Sequence, residues 1–220
     1  MKHTVIVLSA VLGLFCLAGG SNVYADHSGG AGGGCSGDCT PPTLGTDNAG
    51  EQIVSGGFAI NGNAFDVTYF KQDIPTQTIQ VDEPVTITLT VFENSAPQFL
   101  RHVGLMIGLE NKFVSGVTVK THLVQIHWEQ DRRGDSKVKI DDPDGLIKEV
   151  SVDEVVEGKN NVVTLEFTPT QVFDASTVIV QMWDEDRNSW TNYFYDSMRI
   201  VPEVSGQVSV IPAWVKVNAG

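Results

Sequence analysis

The 220-residue chain carries 27 acidic against 14 basic side chains, a formal charge of −13. That sign repels phosphate backbones and excludes nucleic acid as a partner, while solubility outside the cell, attraction for cations and a saline habitat fit it equally. The length and a 41% hydrophobic share suit one domain with a real core, alone or with tails.

The first 25 residues read as a leader. Lys2 and His3 form a short positive start, Thr4 to Ala18 is almost wholly apolar, and Val23-Tyr24-Ala25 places small residues at the −3 and −1 positions of a cleavage site. The apolar run is shorter than the ~20 residues that cross a bilayer. We therefore expect a signal peptide over 1–25, with an uncleaved anchor as the alternative, no membrane span after cleavage, and a location outside the cell or on its surface. Only Lys2 among charged residues leaves with it, so the acidic excess stays.

Residues 26–52 are rich in Gly and small polar residues, a composition that predicts a flexible tether, with order starting near Ile53. Within it "CSGDC" sets Cys35 and Cys39 around Gly37. In an oxidising compartment the two can close a small disulfide loop. The rival is a two-thiolate metal site, for which no further Cys completes a tetrahedral set. No Asn-x-Ser/Thr acceptor follows the leader.

From there the pattern has period two. In "TIQVDEPVTITLTVFEN" Val85, Ile87, Leu89 and Val91 face one way and Thr86, Thr88 and Thr90 the other, a half-buried strand. Val103, Leu105, Ile107 and Leu109 repeat it, as do Val138 with Ile140, Val163 with Leu165 and Phe167, Val178 with Val180 and Met182, and Met198 with Ile200. Turn residues separate the runs: "NGN" at 61–63, "SAP" at 95–97, "RRGD" at 132–135, "DDPDG" at 141–145 and "EGKNN" at 157–161. One segment changes phase: Val117 and Val119 are odd, whereas Val124, Ile126 and Trp128 are even. A bulge near Lys120-Thr121, or two strands meeting there, resets the register. No apolar period of 3.6 and helix length occurs between 53 and 203. The expected fold is all-β, an antiparallel β-sandwich of cupredoxin-like or immunoglobulin-like type with seven to nine strands over 53–203.

Two places carry candidate chemistry. "WDEDRNSWTNY" (183–193) gives Asp184, Asp186 and Asn188 the one-three-five spacing of a calcium loop, but Ser189 and Tyr195 stand where Gly and Glu are needed. A hairpin turn flanked by Trp183, Trp190 and Tyr193 is the plainer reading, with a cation site or an aromatic binding platform as alternatives. "DDPDG" is likewise a turn first and a cation site second. The other place is His102, in "ENSAPQFLRHVGLMIGL". It stands at a strand entrance beside Gly104 and Met106, either as a solvated or hydrogen-bonded side chain or as a metal ligand. His122 and His127 lie five apart, so on an unbroken strand they point to opposite faces and cannot both join it. Neither a nucleophile elbow, a metalloprotease helix nor a phosphate-cradling loop is present. Carboxylate pairs are expected by chance in so acidic a chain, so a non-catalytic role is expected, with no cofactor.

The segments "TIQVDEP", "VTITLTVFEN" and "RHVGLMI" resemble the first half of a cupredoxin. In copper-carrying members a His in this place is one ligand, and the resemblance implies that role for His102. A type 1 copper site also needs a thiolate and a second imidazole near the C-terminal end of the domain. Here that region, "VIVQMWDEDRNSWTNYFYDSMRIV", has no Cys and no His, which excludes blue copper and leaves another metal site open.

A broader resemblance joins "GCSGDCTPPTLG", "GGFAINGNAFDVTYF", the "ENSAPQ" to "RHVGL" segment and "WDEDRNSWTNYFYD". These stretches look like secreted, largely uncharacterised β-sandwich proteins of ammonia-oxidising archaea. The resemblance implies an exported sandwich at the cell surface and supplies no functional residues. After the spacer "EVSGQ", the end "VIPAWVKVNAG" resembles the opening of a short helical module, "IP.WVK.NAG". We therefore expect 204–220 to be a linker and the start of a C-terminal helical module, with the chain continuing past Gly220. The expected function is a binding or envelope-interaction module with a cell-envelope or surface protein partner. The alternative is a cupredoxin-derived metal-binding protein using His102.

Overall fold

The computed structural model describes residues 39–108, 110–114, 117–121 and 124–203, and the side chains of those outside 109–123. The expected leader, Cys35, His122 and the expected C-terminal module lie outside them. Cys39 is disulfide-bonded.

The strands are β1 (Phe58–Ile60), β2 (Asn63–Phe65), β3 (Lys71–Asp73), β4 (Gln77–Gln80), β5 (Val85–Phe92), β6 (Leu100–Ile107), β7 (Glu110–Val114), β8 (Val117–Thr121), β9 (Val124–Gln130), β10 (Ser136–Asp141), β11 (Ile147–Glu157), β12 (Asn160–Pro169), β13 (Phe173–Asp184) and β14 (Ser189–Val201). Among the described residues the one helical turn is the 3-10 turn Pro97–Phe99. One sheet runs β11-β12-β5-β1-β2; the other runs β10-β9-β6-β13-β14-β3, with β4 also on β14; β7 and β8 form a separate ribbon. The fold is a β-sandwich, as the period-two runs predict. The described residues hold fourteen strands against the expected seven to nine: β1 to β4 span only three or four residues each, too short to show an alternation, and β7 and β8 form the separate ribbon. Pairing is antiparallel except that β3 and β4 join β14 in parallel.

The core follows the alternation. Val85, Ile87, Leu89 and Val91 are fully buried, while Thr86, Thr88 and Thr90 face outward, half-buried. Val103, Leu105, Ile107, Val163, Leu165 and Phe167 complete the expected interior. The sheets meet through Phe58 of β1 stacked on Phe194 of β14, ring centroids 4.0 Å apart. The change of phase near residue 120 is two strands meeting, β8 and β9. Val138 and Ile140 belong to the edge strand β10 and remain 42% and 45% exposed.

Order begins earlier than Ile53. Thr43 exchanges two backbone hydrogen bonds with Phe92 (3.1 and 2.8 Å), and Leu44 is fully buried among the core residues. Glycine, read in the sequence as flexibility, is here a packing residue. A Cβ on Gly57 would lie 1.7 Å from the Leu44 carbonyl oxygen, and one on Gly45 would lie 1.9 Å from that of Val67. Only a missing side chain lets these backbones pass so closely.

Leu44→Ala should therefore lower the unfolding free energy by about 3 kcal/mol in urea titration, the cost of a core truncation. A change within about 0.5 kcal/mol would return the segment to a tether.

Candidate functional site

Strand β6 is buried on both faces. Val103, Leu105 and Ile107 point into the core, so His102, Gly104 and Met106 point out of the sandwich. Pairing with β9 and β13 arranges the outer face in rows. His102 lies between Glu129 and Trp183, Gly104 between His127 and Gln181, and Met106 between Gln125 and Ile179. Beyond β9, strand β10 adds Lys137 opposite Glu129 and Lys139 opposite His127.

This corrects the picture of His102 as a solvated strand-end residue: it is 1% exposed. Its ring lies flat on Trp183, centroids 3.3 Å apart and planes 3° apart, and the His127 ring is 5.3 Å away. Between the two imidazoles is the space left by Gly104. A Cβ placed there would meet Nε2 of His102 at 2.8 Å and Nδ1 of His127 at 3.0 Å. Both nitrogens are buried, and neither has a hydrogen-bond partner among the described residues.

Their protonation follows from the neighbours. His127 Nε2 lies 3.3 Å from the Gln125 amide oxygen. That oxygen only accepts, so Nε2 donates and Nδ1 carries the lone pair. Nδ1 of His102 lies 4.0 Å from a Glu129 oxygen, and the other Glu129 oxygen is held by Lys137 at 2.8 Å. Burial first, then His127, pushes His102 down to about 3. Burial and then Lys139 also lower His127, against the pull of Glu129 and Asp141. Both imidazoles are neutral at pH 7, and two unpartnered ring nitrogens, His102 Nε2 and His127 Nδ1, lie next to the position over Gly104. That is the ligand form of histidine.

The other sequence candidates are turns. Asp184, 3% exposed, closes the β13–β14 hairpin by accepting from the Asn188 backbone N–H (2.8 Å) and side-chain amide (2.7 Å). Its carboxylate is spent on the loop. Asp142 likewise accepts from Leu146 and Ile147 N–H at 2.9 and 3.0 Å. A recess lined by Glu93, Phe99, Asp184 and Glu185 is braced by Glu185, which pairs with Arg101 at 2.5 Å and Arg132 at 3.0 Å. Among the described residues no three His, Cys, Asp or Glu side chains are grouped to hold a metal. The sequence placed His102 beside Gly104 and allowed at most one of His122 and His127 to join it; the register of β6 with β9 and β13 sets His127 opposite Gly104 and Trp183 opposite His102, neither of which the sequence could specify.

No family model matches the sequence, and no curated protein matches it. One solved structure, from a photo-crosslinking study of multimeric cell-adhesive interactions of VGSC beta subunits, aligns over 63% of this chain and 98% of its own. Identity is 11% and the TM-score 0.38, a level at which no residue role transfers.

The buried histidine makes stability depend on pH. As pH falls from 6.5 towards 3, the unfolded chain takes up a proton on residue 102 that the folded chain refuses, so stability present above 6.5 is lost. For His102 the full loss is on the order of 5 kcal/mol, and about 2 kcal/mol of it falls between pH 7 and 5. Urea titrations at both pH values should show the wild type losing about that much more than His102→Leu. Equal losses would mean that the imidazole is not held neutral.

Proposed function

We propose that this chain is an exported, non-catalytic β-sandwich module at the cell surface that binds a metal ion through His102 and His127. One observation carries the reading: two buried, neutral imidazole nitrogens with no hydrogen-bond partner among the described residues face the same gap over Gly104. Leaving two such groups unsatisfied costs about 1–3 kcal/mol each. An ion accepting both lone pairs relieves that cost. The leader-like start, the acidic balance and the disulfide at Cys39 support export to an oxidising compartment. Among the described residues no helix is long and apolar enough to cross a membrane. The archaeal resemblance supports display at the envelope, where a surface protein is the partner we propose.

Relative to the cupredoxin pattern, this reading keeps His102 and replaces the C-terminal ligand loop with a cross-strand histidine. The protein then takes part in holding or handing over an ion, without a bound redox centre of the blue-copper kind.

Titration of the purified protein with zinc(II) and, under reducing anaerobic conditions, copper(I) should give one ion per chain. His102→Ala and His127→Ala should each weaken it by roughly 100-fold or more, about 2.7 kcal/mol. If neither ion binds, or if binding survives both substitutions, the reading is wrong.

A further inference from the structure

The class of metal can be read from what surrounds the gap; this step rests on the metal-binding reading above. Along β6 the outward positions are His102, Gly104 and Met106. Met106 is 2% exposed yet stands outside the core cluster that takes in Val103, Leu105 and Ile107. On the outer face the position over Gly104 thus has His102 and Met106 as its neighbours along the strand and His127 across it. Residues two apart on a strand are about 7 Å apart, a span that two long side chains can close over an ion.

The donors on offer are two neutral imidazole nitrogens and one thioether sulfur. Thioether sulfur selects soft ions, and imidazole accepts copper in either charge state as well as zinc. Anionic help is scarce. Glu129 lies 4.0 Å from the other nitrogen of His102 and is already paired with Lys137, and Lys139 stands opposite His127. The cost of taking an ion out of water grows with the square of its charge, so a monovalent ion meets about a quarter of the penalty of a divalent one. Trp183, flat against His102, presents a π face to the ring that takes up the ion's charge, which also favours a cation.

We propose that His102, His127 and Met106 form a three-donor site selective for a monovalent d10 ion, copper(I), over zinc(II) and copper(II). Only His102 among the three is the position to which the cupredoxin resemblance points.

The test compares the wild type with Met106→Leu, a swap that nearly conserves volume. Copper(I) is titrated anaerobically against a chromophoric chelator, zinc(II) and copper(II) are titrated separately, and binding that persists in His102→Ala is subtracted as background. Copper(I) should bind at least about 1000-fold more tightly than either divalent ion, and Met106→Leu should weaken copper(I) about tenfold or more while moving zinc(II) by less than about twofold. A copper-edge X-ray absorption spectrum of the wild type should show sulfur beside nitrogen, a readout that does not depend on how the variant folds. An all-nitrogen shell, copper(I) affinity unmoved in Met106→Leu, or a divalent ion bound as tightly would overturn the copper(I) assignment and leave the histidine site standing. No ion bound at all would overturn both.

Discussion

The period-two geometry of β6 is the constraint on which the rest depends. Val103, Leu105 and Ile107 must face the core, and that alone turns His102, Gly104 and Met106 to the opposite side. A slip of one residue would bury the imidazole between the sheets and put Val103 in the gap. Pairing with β9 is bound by the same rule: Ile126 and Trp128 lie inside, so His127 lies outside, opposite Gly104. The core therefore fixes the site without any residue of the site contributing to the core.

What the core supplies in stability, the outer face partly gives back. An imidazole that stays neutral down to about pH 3, and ring nitrogens without partners among the described residues, would be removed by selection for stability alone. The flat stack on Trp183 returns part of the cost through dispersion and fixes the ring plane. The carboxylate that would ordinarily hold a histidine proton is drawn off by Lys137. Each of these keeps the nitrogen lone pairs available and aimed. A merely structural histidine would have its hydrogen bonds made.

Much of the architecture was legible in the sequence. The alternation from Val85 to Val91 and from Val163 to Phe167 gave the two faces correctly, because burial of one face is the force that selects those residues. Strands β1 to β4 were not legible, since three or four residues hold no periodic signal and their pairing is set by what they touch. The ordered segment around Leu44 was misread as tether for a related reason. Glycine in a composition count does not distinguish a loose chain from one squeezed against a neighbour, as Gly45 is. The candidate site was half legible. His102 is visible at a strand entrance, but His127 lies 25 positions on, across a stretch containing β7 and β8. Only the register of β6 with β9 brings the two to one gap.

The claim that the gap over Gly104 is the binding site is tested most directly by filling it. Gly104→Ala keeps every proposed donor and adds one methyl group at the point 2.8 Å from His102 Nε2 and 3.0 Å from His127 Nδ1. With circular dichroism and the melting temperature showing the apo variant folded, copper(I) binding should be lost, to at least about 100-fold weaker. A folded Gly104→Ala protein that binds copper(I) as tightly as the wild type would contradict the claim.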